Sequence, residues 1–512
     1  MSDSRAEDVL RRQSWMEAER AGLDGPCQEI AERVLTRQQG FGGMARGRRE
    51  ASEDRVFDST APLALEKFAA AIEGMLTPRT QRWHELSLKA LDGAEPSPAV
   101  QAWLQGVNRM LFAARYGPES NFASQAHETY VGLGAFGNGA IFVDEAAGGG
   151  LRYRAIPFAE TWFAENFQGV IDTVHRKFEL TARQWMQQFG AETPAAIQRA
   201  AETEPHRRFE LIHCVQPRED ADWRRLDWRG MPWASWYVSL EGRKVLKESG
   251  YRTMRYACAR YVTAPREVYG RGPAMTVLAD IKTVNEQQKT LLRTGQLIAE
   301  PPLLLSDEGG LTGFKLAPRS INRGALGFDG SELVKPLSVG ANLPVTLEMV
   351  DRTRETINQA FLVTLFQILV DTPQMTATEA MLRAQEKGAL LAPVMGRLQS
   401  ELLAPLIQAE LDILAASGAL PEPPAELAGL GDLAAEIEYT SPLARAQKAD
   451  EGLAILRLLE DAASVGQFDP AAGAMIKGPE VLRRLAEIRG APAELLRSED
   501  ELAAMARAVA GG

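Results

Sequence analysis

The stretch Tyr269-Gly270-Arg271-Gly272-Pro273-Ala274-Met275-Thr276-Val277-Leu278-Ala279-Asp280-Ile281-Lys282-Thr283-Val284-Asn285 decides the architecture. Pro273 suits the first turn of a helix, where a backbone N–H has no intrahelical partner to lose. Beyond it Val277, Ile281, Val284, Gln288 and Leu291 recur at steps of three and four, the signature of one helical face. Pro301-Pro302 stops the helix. Leu303 to Pro344 mixes glycine, proline and short apolar runs, which predicts a small β-rich insertion. Helix resumes from about Val345 to Val370, so the insertion sits between two helices able to pack as an antiparallel pair. A short break, Asp371-Thr372-Pro373-Gln374-Met375, follows.

Thr376-Ala377-Thr378-Glu379 is a capping box, with hydroxyl and carboxylate each able to satisfy an orphan backbone donor. It launches a helical pattern to Ser417, roughly 60 Å long if unbroken. Leu391, Val394, Leu398, Leu402 and Leu406 form its apolar stripe, and Pro393 and Pro405 predict kinks.

Upstream, the first 55 residues predict two helices. Ser4 to Glu7 is read as a capping box, Gly22 to Gly25 as a break, and Pro26 as the start of the second helix. A third helix is expected from Thr60, with Leu65, Phe68, Ile72 and Leu76 on its apolar face and Pro78 beyond its end. From Tyr130 to Tyr269 glycine-rich turns alternate with β-type runs: 140–143, 209–215 and 236–239. They predict an antiparallel sheet. One helix interrupts it at the capping box Thr181-Ala182-Arg183-Gln184. After the turns of Leu420 to Leu430 the chain reads as helices, one opening at Ser441-Pro442 and another at Ser498. The fold class is therefore α+β, mainly helical.

The 512 residues carry a formal net charge of -11, which argues against gripping nucleic acid by its phosphates over the whole surface. Three cysteines far apart, Cys27, Cys214 and Cys258, give no disulfide framework and fit a reducing compartment. The charged N-terminus does not read as a signal peptide, and no apolar run is long enough to span a bilayer.

Gly132-Leu133-Gly134-Ala135-Phe136-Gly137 formally matches the dinucleotide fingerprint. That motif needs a strand before it and a helix after it. Here the flanks are reversed, so a glycine turn entering a strand is the better reading. No phosphate loop, metalloprotease motif or nucleophile elbow is present. His213-Cys214 lies on an expected strand and reads as a core pair. Glu219, Asp220 and Asp222 read as a solvated turn rather than as glycosidase acids. The aromatics Trp223, Trp228, Trp233, Trp236 and Tyr237, with Arg224, Arg225 and Arg229 among them, suit sheet or interface packing better than base stacking. No catalytic residue, cofactor or metal is assigned.

The 269–285 stretch strongly resembles the start of the stem in podovirus portal proteins, as does Glu300-Pro301-Pro302-Leu303-Leu304-Leu305 after it. The tract 376–387, with Arg383, Glu386 and Lys387, is similar to the start of their long helix. Residues 396–403 and 441–448, and Leu76-Thr77-Pro78 followed by Trp83, extend the likeness over Asp58 to Lys448. The resemblance implies a ring subunit, usually one of twelve, around a DNA channel. In that scheme residues 1–260 are the wing and 261–300 the first stem helix. Residues 301–344 are the clip, 345–370 the second stem helix, and 371–376 the tunnel loop. Residues 377–440 are the spine and wing return, and 441–512 a helical crown.

Glu355, Asp371, Thr372, Gln374 and Met375 would face the channel. Lys282, Lys289 and Arg293 would sit on the stem, pairing with a neighbour's acids or forming a basic ring. Implied partners are further copies of the chain, capsid and scaffolding proteins, the terminase packaging motor and tail adaptor proteins. Double-stranded DNA would pass through without sequence-specific binding. The implied location is the portal vertex of the virion, with assembly in the host cytoplasm. The rival readings are a nucleotide-binding enzyme using Gly132 to Gly137, and another tail-ring adaptor.

Overall fold

The protein is described by a computed structural model. It covers residues 2–37, 41, 56–88, 97–146, 148–305, 315, 320–321, 325–326, 330–337, 343–363, 393–427, 435–440, 442–466 and 476–489. Helix makes up 53% and strand 22%, and all the strand pairs are antiparallel, which gives a mixed, mainly helical α+β protein.

The first helix, α1 (Ser2–Arg33), is continuous. The expected break at Gly22 to Gly25 and the start at Pro26 are corrected: Pro26 lies inside the helix, and Ser4 lies within its first turns rather than at a cap. The physical reason is one buried stripe. Ala6, Val9, Gln13, Met16, Arg20, Cys27, Ile30 and Val34 follow each other at helical spacing and are all buried. Two polar members, Gln13 and Arg20, hide that stripe in the sequence. Arg20 donates to the Phe158 and Thr161 carbonyls at 2.9 and 2.7 Å and lies 4.0 Å from the Trp162 ring centroid. Tertiary contacts here outweigh local propensity.

Helix α2 (Thr60–Leu76) buries Leu65, Phe68, Ile72 and Leu76 as its spacing predicts. Strand β1 (His84–Leu88), α3 (Pro98–Arg115) and α4 (Phe122–Phe136) follow. Next come β2 (Asn138–Glu145) and β3 (Leu151–Ile156). A five-stranded meander then runs β4 (Thr161–Glu165), β5 (Ile171–Thr181), β6 (Arg208–Pro217), β7 (Trp233–Ser239) and β8 (Lys244–Tyr251) in spatial order. Between β5 and β6, α5 (Ala182–Phe189) starts at the expected capping box, with both reciprocal bonds formed, and α6 (Ala195–Thr203) follows. These helices cover one face of the sheet through Trp185, Phe189 and Ile197, while α1 covers the other through Ala6 and Val9. Strand β9 (Tyr256–Arg260) completes the three-stranded sheet β3-β2-β9. The free edge of β3 is occupied by side-chain amides. Asn121 Oδ1 accepts from the Tyr153 N–H and Gln125 Oε1 from the Ala155 N–H. That blocks pairing with another chain.

Short strands β10 (Val262–Thr263) and β11 (Gly270–Arg271) lead into α7 (Pro273–Thr276) and α8 (Leu278–Ala299). The insertion contains the ribbon β12 (Leu303–Leu305) with β13 (Val334–Pro336). Its partner helix α9 (Leu343–Ala360) packs against α8. The expected run from Val345 to Val370 is interrupted: α9 ends at Ala360, Leu362 takes φ 58°, helix is found again at Val363, and residues 364–370 lie outside the described ones. The turn seats Phe361 and Val363 in the core on either side of it.

The late helix is described from residue 393 to 416. A π turn, Gln399–Leu403, precedes Pro405 and takes the place of the expected kink. Proline cannot donate to the carbonyl four residues back, and the wider turn accommodates that loss. The helix is bolted to α3 and to the sheets by arginines. Arg260 pairs with Glu401 at 2.6 Å, Arg255 with Asp412 at 2.8 Å, and Arg115 with Glu410. Arg115 and Glu410 are fully buried. Arg115 Nε donates to both carboxylate oxygens at 3.0 and 3.1 Å, and Tyr153 donates to Oε1 at 2.8 Å. Burial opposes the Arg115 charge, but Glu410 outweighs it and holds the guanidinium above its ordinary value. Last come β14 (Ala435–Tyr439), which pairs with β1, and helices Pro442–Gly466 and Gly478–Arg489. The helix expected from Ser498 lies outside the described residues.

Candidate functional site

The root of the α8–α9 pair is built where two glycine motifs meet. Helix α4 ends at Gly137, whose φ of 69° places it in the left-handed region. A Cβ on Gly137 would lie 2.3 Å from Gly272 N, and one on Gly272 2.6 Å from Gly137 N. Both positions therefore require glycine. Asn138 fixes the junction. Its amide donates to the Phe136 and Gly270 carbonyls at 2.8 and 2.9 Å and accepts from the Gly270 N–H at 2.8 Å. Gly134 lets α4 approach α2, since a Cβ there would sit 2.6 Å from Leu65 Cδ1. The expected glycine turn entering a strand is corrected in extent, since only Gly137 forms it, and the rival dinucleotide reading lacks its flanking elements. Strand β2 follows Gly137 with no helix N-terminus for a pyrophosphate, and Gly132 and Gly134 belong to α4 rather than to a turn.

A strap ties the two helices together just beyond this root. Asn285 of α8 accepts from the Phe57 and Asp58 N–H groups at 2.9 and 3.1 Å. Asp58 accepts from Arg354 of α9 at 2.9 and 2.7 Å. Burial pushes the Asp58 carboxyl up, but bonds from Thr60 and Arg354 hold it below its ordinary value. These residues escaped the sequence reading. The available signal was Asn285, a polar side chain next to Val284 on an otherwise apolar stripe.

Past the strap the pair is bare. Leu292, Leu297 and Ile298 of α8 and Val345, Leu347 and Met349 of α9 are exposed. Of the expected stem cations, Lys282 reaches Glu29 of α1 at 2.6 Å and Lys289 lies 3.6 Å from Glu286. Arg293 is exposed. Lys282 therefore has an acid partner in its own chain. Glu355 is exposed on α9, one turn from Gln359, which donates to it at 3.3 Å. Asp371, Thr372, Gln374 and Met375 lie outside the described residues, so they cannot be placed beside Glu355.

The other candidates resolve into packing. His213 Nε2 lies 2.9 Å from Ser235 Oγ and Nδ1 2.7 Å from Tyr256 OH, while its ring stacks on Tyr237. The Ser–His contact resembles a nucleophile and base, but both residues are buried. Cys214 packs on the opposite face, against α1. Burial lowers His213 to about 3, followed by the positive field of Arg176. Asp220 pairs with Arg5 at 2.6 Å, so the acidic turn is partly tied down. Trp236 is buried in the sheet and Trp223 is exposed. Among the described residues no three His, Cys, Asp or Glu side chains converge as a metal site, and no helix is long and apolar enough to cross a membrane.

The chain is thus a mainly helical α+β protein with an exposed helix pair rooted in an antiparallel sheet body. It belongs to the bacteriophage head to tail connecting protein family, whose model matches residues 6–496. The chain is similar to the "Probable portal protein" of Bordetella phage BPP-1, 30% identical over 90% of this chain and 83% of that one. It is also similar to the "Portal protein" of Salmonella phage epsilon15, 26% identical over 98% of this chain and 90% of that one.

Proposed function

We propose that this portal protein assembles head to tail into a ring at one capsid vertex. Genome DNA would enter, be retained and later leave through the ring. The observation that carries the reading is the bare α8–α9 pair. Monomeric soluble proteins rarely leave so many large apolar side chains together in solvent, and such clusters mark interfaces. A closed ring needs two unlike complementary faces per subunit, which an elongated helix pair on a sheet body can offer.

In this scheme 1–260 is the wing and the helix segments within 261–300 and 345–370 are the stem. Residues 301–344 form the clip, 371–376 the tunnel loop, 377–440 the spine and wing return, and 441–512 the crown. Each copy brings a net charge of -11, so a ring would build a strong negative field. That field repels phosphates and disfavours the counterion release that would make DNA stick. Glu355, Asp371, Thr372, Gln374 and Met375 are assigned to the channel surface. The packaging motor and tail proteins would meet the clip, and capsid and scaffolding proteins the rim.

The test is solution mass by light scattering, with negative-stain images. A particle of about twelve copies with a central hole is expected. A stable monomer under capsid-assembly conditions, with scaffolding and capsid protein present, would remove the ring. For the channel assignment, Asp371→Lys should slow packaging or reduce DNA retention. Unchanged packaged length and particle yield would sink it.

A further inference from the structure

A groove of about 650 Å³ lies between the first turns of α1 and strands β6 and β7. Val9, Arg12 and Trp15 line one side, and Gln216, Glu219 and Trp236 the other. Its volume is that of a ligand site, not of a packing gap. Several groups in its walls lack partners. Trp236 is buried, yet its indole N–H meets no hydrogen-bond acceptor among the described residues. Trp15 is 54% exposed. Arg12 is half-buried and donates to the Gln216 side chain, and among the described residues no carboxylate pairs with it. The acids nearby do not answer it. Asp8 and Asp220 pair with Arg11 and Arg5, each at 2.6 Å, and Glu219 is exposed to the screening of water. An aromatic face, an indole donor and a lone cation fit an extended segment carrying proline, a free carbonyl and a carboxylate.

The chain holds such a segment in Leu420-Pro421-Glu422-Pro423-Pro424, which follows the late helix and lies outside helix and strand. Each proline fixes its own φ near about -65° and biases the residue before it toward extended backbone. The segment is therefore stiff before any partner arrives, so docking it costs little ordering entropy. Trp103 of α3 donates its indole N–H to the Pro421 carbonyl at 3.0 Å and holds the ridge on the body. Glu422 and Pro423 remain exposed, and among the described residues Glu422 has no cation partner.

We infer that the groove of one copy takes the 420–424 ridge of the next. Pro423 would lie against Trp15, Glu422 would meet Arg12, and a ridge carbonyl would accept from Trp236. The inference rests on the ring reading and names one of its contacts. Three observations favour a second copy as the occupant. The unpaired charges, Arg12 and Glu422, are opposite in sign. The ridge is already recognised once in this way, by Trp103 on Pro421. Groove and ridge are unlike surfaces built from different elements, as a head-to-tail contact requires.

The experiment exchanges the two charges. Arg12→Glu and Glu422→Arg each set like charges against one another at the contact. Either alone should lower the temperature at which assembled rings dissociate by several degrees. A chain carrying both should recover most of that loss, because every interface then holds the pair with its signs exchanged. Melting of the dissociated subunit is followed alongside. Glu422→Arg, at an exposed position, should leave it unchanged, so its effect on rings reads the contact and not the fold. As a second measurement, the single variants Glu219→Cys and Ala425→Cys are mixed during assembly and treated with a short bis-maleimide. A dimer band is expected from the mixture and from neither variant alone, the native cysteines being buried. Rings that form normally, ignore Glu422→Arg and give no mixed band would overturn the contact and leave the ring intact. A wild-type chain that never assembles sinks both readings at once.

Discussion

Arg115 and Glu410 meet with neither side chain exposed, although 295 residues separate them. Arg115 also donates to His84 Nε2 at 2.7 Å and stacks 4.5 Å from the Trp83 ring centroid. A charge pair in such a place stabilises little against an apolar substitute, but removing one partner strands the other. Arg115→Met should therefore cost about 3–5 kcal/mol. Arg115→Met combined with Glu410→Leu should recover much of that loss. Urea denaturation of the four members of the cycle decides it. A double variant no better than the single would contradict the account.

Gly272→Ala is expected to damage the root of the helix pair. The added methyl falls 2.6 Å from Gly137 N and 2.8 Å from the Leu133 carbonyl, both backbone atoms. Backbone cannot swing aside as a flexible side chain can. Gly295→Ala, on the same helix line but with open space around it, serves as the control and should be neutral or mildly stabilising. Thermal melts of the two variants should differ by several degrees. Equal melting points would show that the glycine junction is not tight.

Acid should destabilise the protein well above the carboxylate range. Burial holds His175 and His213 at about 3, with Arg12 and Arg176 as their next largest influences. Burial and then Arg115 hold His84 well below its ordinary value. These folded values lie below the unfolded value of about 6.5, so the unfolded chain takes up protons first. Stability is complete above that pH and declines as pH falls toward 3. Each histidine contributes a slope of about 1.4 kcal/mol per pH unit. Urea midpoints between pH 7 and 4 should fall steadily, and His175→Gln should flatten the slope. A level profile over this range would rule the mechanism out.

The strap makes a local prediction. Asp58→Asn keeps the shape but weakens the bonds to Arg354, a loss of about 1.5–3 kcal/mol for charge-assisted contacts. Amide exchange should quicken in α8 and α9 and stay unchanged in the five-stranded sheet. Uniform acceleration across the chain would mean that the strap is not a local clamp.

Much of this fold was legible because its signals are local. The stripe of α2, the capping box at Thr181 and the pattern after Pro273 each depend on neighbours in sequence, and each is realised. The single helix α1 was misread because Gln13 and Arg20 interrupt an apolar stripe while being buried themselves. Strands β1 and β14 were missed altogether. Each carries an alternating pattern, His-Glu-Leu-Ser-Leu and Ala-Glu-Ile-Glu-Tyr, but five residues are too few for periodicity alone to separate strand from helix. The strap and the glycine junction were invisible for a different reason. Asn285, Arg354, Gly137 and Gly272 acquire their roles only through partners more than a hundred residues away. No periodicity records such a meeting.

The arginine bolts also set an order of events during synthesis. Arg115, Arg255 and Arg260 lie in the first 260 residues, but their acids, Glu410, Asp412 and Glu401, emerge from the ribosome much later. Strand β1 waits longer still, for residues 435–439. A nascent chain stopped at residue 300 would hold an unneutralised guanidinium at Arg115 and an unpaired strand at 84–88. Such a chain would depend on chaperones until the late helix arrives, and closure of the body would be coupled to near-completion of translation.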